Sequence, residues 1–136
     1  RVRGRWGTWS RSEQVGDDGL VEVRRRLHLT VLHEELDLIL EAGAEIVNST
    51  IRGPVAIGPG TKIVDSFIGP FSAIGADCEV RHSEIEHSVV MERSQVIDIP
   101  RLEDSLIGSD AVVSRTKRKP RAIRLMVGDH CQIDVE

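Results

Sequence analysis

From residue 40 to residue 113 an aliphatic side chain returns every five or six positions, and no other feature constrains the fold as strongly. The returns are Leu40, Ile46, Ile51, Ile57, Ile63, Ile68, Ile74, Val80, Ile85, Val90, Val96, Leu102, Ile107 and Val113. A helix face returns at three and four residues and a half-buried strand at two, so neither template fits. A second residue, mostly small, keeps step with the first. In the six-residue steps it follows four later, at Ala44, Val55, Thr61, Ser72, Cys78, Ser94, Pro100 and Ala111. In the five-residue steps it follows three later, at Ser49, Ser66, Ser83, Ser88 and Ser105. This is a hexapeptide repeat, the pattern of a parallel β-helix.

Each step predicts one short strand and a turn, with the aliphatic residue pointing inward and the small residue tucked into the corner. Three steps close a triangular coil of 17 residues. Asn48-Ser49-Thr50-Ile51, Asp65-Ser66-Phe67-Ile68 and His82-Ser83-Glu84-Ile85 recur at that period. After one extra five-residue step, His87-Ser88-Val89-Val90 and Asp104-Ser105-Leu106-Ile107 again lie 17 apart. The frame puts Ile68 and Ile74 inside, and Asp65 and His82 outside. Four to five coils at about 4.8 Å spacing predict a prism roughly 20 Å long. Each coil buries its apolar side only against its neighbours, so both ends demand covers.

Composition agrees with a narrow aliphatic bore. Hydrophobic residues are 40% of the chain and aromatic ones 3%, with no Tyr. The 136 residues suit one domain. A net charge of −4 argues against a nucleic-acid module, and no apolar run approaches the length of a membrane span. Arg1, Arg3 and Arg5 precede no apolar segment of a secretory signal, and two cysteines are too few for a disulfide framework. The expected location is cytoplasmic, with no nucleic-acid and no membrane partner.

The repeat has two flanks. Residues 1–39 carry no repeat and read as an irregular linker or capping segment. Arg1 to Gly19 is loop-like, with Trp6 and Trp9 its large apolar groups. Leu27, Leu29 and Val31 alternate like a strand, whereas residues 33–39 read as a short helix or turn capping the first coil. Residues 40–136 form the β-helix domain, interrupted by a basic loop at 115–124 around Pro120. The beat returns once at Val127-Gly128-Asp129-His130-Cys131-Gln132-Ile133, which predicts a final strand. Gly53, Gly58, Gly60, Gly69, Gly75 and Gly108 are expected at or near corners, where positive φ is cheap for glycine.

Four features invite a chemical reading. Gly58-Pro59-Gly60-Thr61-Lys62 has the composition of a phosphate cradle, but Ile57 and Thr61 are an ordinary rung and corner, and no helix follows. His82 and His87 could act as general bases in acyl transfer, yet they sit where Asn48, Asp65 and Asp104 sit, as solvent-facing corner residues. Cys78 and Cys131 occupy the small slot and read as buried structural thiols. The 115–124 run could bind phosphate or RNA, but it also reads as a solvated turn. No His, Cys or carboxylate set has zinc-ligand spacing.

Ala44-Glu45-Ile46-Val47-Asn48-Ser49-Thr50-Ile51-Arg52-Gly53-Pro54-Val55-Ala56-Ile57-Gly58 resembles the C-terminal β-helix of long-form glucose-1-phosphate thymidylyltransferases. So do Asp65 to Pro70, Glu84 to Val90, Pro100-Arg101-Leu102 with Asp104 to Gly108, and Pro120-Arg121-Ala122 with Leu125 and Gly128-Asp129. The resemblance implies a left-handed helix, although parallel crossovers in general are right-handed. It also implies a parent activity joining dTTP to glucose 1-phosphate, with Mg²⁺, in an N-terminal α/β domain that has no counterpart here. No catalytic, cofactor-binding or metal-binding residue is therefore expected in this chain. The expected partners are further copies of itself or that catalytic domain, and the expected roles are oligomer contacts or regulation. The alternative is a small hexapeptide-repeat acyltransferase with its site shared between prisms.

Overall fold

The beat of five and six becomes a sequence of short strands in a computed structural model, which describes residues 13–15, 20–23, 27–28, 31–33, 38–41 and 43–135. Four strands precede the repeat: β1 (Glu13–Val15), β2 (Leu20–Val23), β3 (Leu27–His28) and β4 (Val31–His33). The coils then run through β5 (Leu38–Leu40), β6 (Glu45–Val47), β7 (Ser49–Arg52), β8 (Val55–Ile57), β9 (Lys62–Val64), β10 (Phe67–Ile68) and β11 (Ser72–Ile74). They continue through β12 (Glu79–Arg81), β13 (Glu84–Glu86), β14 (Val89–Val90), β15 (Gln95–Ile97), β16 (Leu102–Glu103), β17 (Leu106–Ile107) and β18 (Val112–Ser114). Three sheets result. Sheet one is ordered β1-β2-β7-β10-β13-β16, sheet two β4-β5-β8-β11-β14-β17 and sheet three β3-β6-β9-β12-β15-β18. Within the coils every pairing is parallel, with Ile51, Ile68, Ile85 and Leu102 in register on sheet one. The parallel β-helix of about four turns expected from the repeat is the observed architecture.

The bore is lined as the spacing predicts. Ile46, Ile51, Ile57, Ile63, Ile68, Ile74, Val80, Ile85, Val90 and Val96 are all buried, while Asp65 and His82 point outward. Each buried aliphatic side chain contributes about 1.5–3 kcal/mol of transfer free energy. Around this core runs a second, polar layer. The Ser66 hydroxyl donates to the Val64 carbonyl at 2.7 Å and accepts the Ser83 N–H of the next coil at 3.2 Å. Ser49 does the same below it, and Ser83 above it passes the pattern to the Ile99 N–H. The small residues of the repeat are thus chosen for a hydroxyl that closes its own turn and satisfies an amide in the next coil.

One buried hydroxyl stands outside this scheme. Among the described residues, the Ser72 Oγ has no hydrogen-bond partner. Thr61 and Ser94, in the other six-residue corners, donate to carbonyls 14 residues ahead, Gly75 and Gly108. The equivalent carbonyl for Ser72 is Glu86, in a corner shortened to five residues, where the Ser88 hydroxyl is its donor.

The flanks meet expectation in part: residues 27–28 and 31–33 are strands, as the alternation of Leu27, Leu29 and Val31 predicts. His33 ends β4 and Leu38-Ile39 open β5, which pair antiparallel, so extended backbone stands at both ends of the span expected to be a helix or turn. Residues 34–37 lie outside the described residues, as do Trp6 and Trp9. β2, β3 and β4 pair antiparallel with β7, β6 and β5, one on each sheet, so the first coil finds backbone partners on all three sides. At the other end, residues 115–135 form no strand and are exposed throughout. The final strand expected at 127–133 is not made, and Cys131 is exposed rather than buried in a corner. Once the basic segment leaves β18, no neighbouring coil lies against these residues to bury them.

Two finer expectations also change. Pro100 is exposed, and Ile99 is the residue packed against the core. The Ser83 hydroxyl needs an N–H there, which proline lacks and Ile99 supplies at 3.0 Å. The left-handed corners, moreover, belong mostly to other residues than glycine. Gly43 and Gly60 have positive φ, whereas Gly53, Gly58, Gly69, Gly75 and Gly108 do not.

Candidate functional site

The left-handed corners decide which chemistry-bearing side chains meet. Where sheet three turns into sheet one, Asn48, Asp65, His82 and Asp98 hold φ of 44°, 47°, 46° and 57°. Asn, Asp and His tolerate this conformation better than other residues with a Cβ. Each corner amide donates back one coil: Asp65 to the Val47 carbonyl, His82 to Val64 and Asp98 to Arg81. The side chains therefore stack in an axial column. The Asn48 amide donates to Asp65 at 2.5 Å. His82 lies between two carboxylates, its Nε2 3.3 Å from Asp65 and its Nδ1 3.4 Å from Asp98. Lys117 extends the column, with its Nζ 3.4 Å from Asp98.

The other two corners build similar columns. Between sheets one and two, Phe71 and His87 have ring centroids 5.2 Å apart, and the His87 Nδ1 is 3.7 Å from Asp104. Between sheets two and three, Gly60, Asp77, Arg93 and Asp110 follow one another. Arg93 donates to both Asp110 oxygens, at 2.7 and 3.0 Å. That paired hydrogen bond, with the guanidinium charge, holds the Asp110 carboxyl below the usual carboxylate range.

These arrangements assemble no catalytic constellation among the described residues. His82 and His87 are both exposed at corners, as their sequence equivalence to Asp65 and Asp104 implies. The groove beside His82 is shallow and open, lined by Asn48, Asp65, Phe67, Glu84 and Pro100. The nearest serine, Ser83, spends its hydroxyl inside the stack. Cys78 is buried, and burial pushes its thiol up from the ordinary value, away from the reactive thiolate. The segment from Gly58 to Lys62 is a corner: the Thr61 hydroxyl is buried and donates to Gly75 at 2.6 Å. A Cβ on Gly60 would meet the Asp77 carboxylate, which can swing aside, so its glycine answers chiefly to φ +71°. Residues 115–124 are exposed, and no metal-ligating group of three or more side chains occurs among the described residues.

The most distinctive surface is one the repeat analysis passed over. On sheet two the outward residues Ile39, Ala56, Ala73, Val89 and Leu106 stand in register from the first coil to the last. None is charged, and Ile39, Val89 and Leu106 are exposed, flanked at the corners by exposed Phe71 and Met91. The corresponding column on sheet three reads Glu45, Lys62, Glu79, Gln95 and Val112, and that on sheet one reads Thr50, Phe67 and Glu84. The signal was present in the sequence. In each of these pairs the residue just before the inward aliphatic is itself apolar: Ile39-Leu40, Ala56-Ile57, Ala73-Ile74, Val89-Val90 and Leu106-Ile107.

Fold and surface together define a hexapeptide-repeat solenoid with one apolar face. No helix of the described residues is long and apolar enough to cross a membrane. The chain is 40% identical over 118 residues to a glucose-1-phosphate thymidylyltransferase of Streptomyces griseus, a match over 87% of this chain and 31% of the relative. A glucose-1-phosphate thymidylyltransferase of Streptomyces antibioticus is 37% identical over 99 residues, 73% of this chain and 28% of the relative. The low-salt glycan biosynthesis nucleotidyltransferase Agl11 of Haloferax volcanii is 33% identical over 69 residues, half of this chain and 19% of that protein. No family model and no solved structure matches. The resemblance seen in the sequence is borne out: the chain matches the β-helix portion of glucose-1-phosphate thymidylyltransferases and spans about a third of their length. The acyltransferase alternative gains no support from these relatives.

Proposed function

We propose that the chain is the C-terminal β-helix module of a cytoplasmic sugar-1-phosphate nucleotidylyltransferase, and that its work is oligomer contact rather than chemistry. The relatives' names supply the reaction class, thymidylyl transfer to glucose 1-phosphate; the family resemblance implies dTTP as donor, dTDP-glucose and pyrophosphate as products, and Mg²⁺ in a separate nucleotide-binding domain. The described residues offer no converging ligand set to which that metal could be assigned. The single observation that carries the structural role is the uncharged outward column of sheet two, which runs the full length of the stack. A strip with no charge along its whole length, beside columns that carry Glu45, Lys62, Glu79 and Glu84, favours burial against another protein surface, and a second copy of the module is the partner this reading commits to.

Two measurements test the reading. Purified chain given dTTP, Mg²⁺ and glucose 1-phosphate is expected to release no pyrophosphate above a protein-free control; release that survives repurification would sink the assignment. Sedimentation velocity is expected to show an oligomer that Val89→Glu and Leu106→Glu return to monomer. A parent chain that is monomeric at high micromolar concentration removes the oligomer role and leaves the relationship to the relatives untouched.

A further inference from the structure

Residues 125–133 repeat the pattern of a stacked half-coil while standing clear of the stack. Ser72-Ala73-Ile74-Gly75-Ala76-Asp77-Cys78-Glu79-Val80 aligns with Leu125-Met126-Val127-Gly128-Asp129-His130-Cys131-Gln132-Ile133. The match places an aliphatic, a glycine, a corner residue, a cysteine and a second aliphatic in the same order. The corner is already formed: His130 has φ 56°, as Asp77 has 52°. The Cys131 thiol donates to the Asp129 carbonyl at 3.6 Å, as the Cys78 thiol does to Ala76 at 3.6 Å. Yet Val127 and Ile133 are 50% and 46% exposed, where Ile74 and Val80 are 3% and 0%.

The other half of the match is the open end of the helix. β16, β17 and β18 are the last strands of their sheets, and Leu102, Ile107 and Val113 are incompletely buried there. At Gly58 and Gly75 an added Cβ would run into the backbone of the next coil, 2.6 and 2.7 Å away. Gly108 holds the same position in its coil and has nothing within 4 Å. It has the glycine without the neighbour.

We infer that residues 125–134 dock on β17 and β18 as one further partial coil that closes this end, with 115–124 looping outward in place of a strand on sheet one. Val127 lies over Ile107 and Ile133 over Val113, each 20 residues on instead of 17, and the three extra residues let the loop leave the stack. The backbone pattern continues. Gly75 N–H donates to the Val90 carbonyl and Gln95 N–H to that of Ala111; Gly108 N–H then donates to Val127 and Val112 N–H to Cys131. His130 stands over Asp110, extending the charge alternation of Arg93 and Asp110, and Met126 adds a further rung to the apolar column beyond Leu106. Leu125 fills the slot that Leu38, fully buried, fills at the opposite end. The chain's own tail is the occupant, because ten linking residues reach about 33 Å, and tethering gives the tail an effective local concentration near millimolar.

Cys131 reports the docking. Docked, it is covered from one side, as Ala111 is in the last described coil, and native thiol titration of the parent chain finds no fast-reacting group; free, it gives one. In a Cys78→Ser chain, whose slot already holds Thr61 and Ser94 in neighbouring coils, labelling of Cys131 is expected to be at least about tenfold slower than in urea. Protection should be unchanged by hundredfold dilution, and abolished separately by Val127→Asp and Ile133→Asp. Labelling of native protein at the unfolded rate overturns the inference. So does protection that fades on dilution, which makes a second copy the occupant, or protection that survives both variants.

Discussion

The two ends of the helix solve the same problem differently. At the start, three antiparallel strands lie along the first coil, one per sheet, and Leu38, Leu40, Ile46 and Ile51 are buried as deeply as any residue in mid-stack. At the finish, β16 to β18 have no strand beyond them, Ile107 is incompletely buried and Leu106 is 72% exposed. The repeat is equally regular at both places. What differs is whether backbone lies across the edge, so burial here belongs to a pair of coils and not to a residue.

The sharpest way to break the comparison is to place one charge in the middle and one at the edge. Ile74→Asp buries a carboxylate between coils and is expected to cost on the order of 4 kcal/mol or more, seen as loss of the cooperative urea transition. Leu106→Asp points outward from its own coil and, measured at concentrations where the chain is monomeric, should move the midpoint little. An Ile74→Asp chain that melts with the parent would mean that the inward frame is wrong.

Serines give the next largest contrast. Ser66→Ala strands the Ser83 amide and takes one of two hydrogen bonds from the Val64 carbonyl, which keeps that of the His82 N–H, and is expected to cost about 1–3 kcal/mol. Ser105 is less buried; its hydroxyl closes only its own turn, to Glu103, so Ser105→Ala should cost about 0.5 kcal/mol or less. Ser72→Ala removes a buried hydroxyl that has no partner and is expected to be neutral or stabilising. Urea midpoints of the three variants check the order, and a Ser72→Ala loss equal to that of Ser66→Ala would reject it.

Truncation compares the ends directly. Removing residues 1–37 uncovers the first coil on three sides and should lower the melting temperature by at least about 5 °C, roughly 1 kcal/mol for a domain of this size. Removing residues after Ser114 takes away the Arg115 N–H bond to the Ile97 carbonyl and the Lys117 pairing with Asp98, and any cost beyond these measures the docking inferred for the tail. Equal losses at the two ends would place both covers on the same footing.

The smallest effect is electrostatic. Asp110 has a folded pKa depressed by Arg93, so its contribution is present above the ordinary carboxylate pKa and is lost as pH falls through the lower, folded value. The stability difference between parent and Arg93→Ala is expected to be measurable near neutrality and to vanish in strong acid. A difference that grows as pH falls would reject the pairing.

How much of this was legible in the sequence depends on whether the determinant was local. The inward set from Leu40 to Val113 was legible, since one spacing fixes both strand and facing. The corner residues were legible as outward, but the backbone they adopt was not, because Asp and His take the left-handed turns where glycine was expected. Pro100 misled because size was read as the slot's requirement, when Ser83 required an amide. Of the strands before the repeat, β3 and β4 were marked by the alternation of Leu27, Leu29 and Val31, whereas β1 and β2 have no beat to betray them, being specified by the edge they cover. The apolar face of sheet two was written in plain view and missed because attention stayed on the inward residue of each pair. Cys131 has the right pattern but no coil against it, and pattern alone buries nothing.

The corner columns carry a different kind of freedom. At Asn48, Asp65, His82 and Asp98 the structural demand falls on the main chain, through a positive φ and, in the last three, an amide aimed one coil back. The side chain is left to solvent, and the same turn is made with an amide, a carboxylate or an imidazole. Each edge of the prism is therefore a row of addresses at one-coil intervals whose contents can be rewritten without redrawing the scaffold. Two partners could be told apart by the spelling of such an edge, much as a key is cut along one side of an unchanging blade.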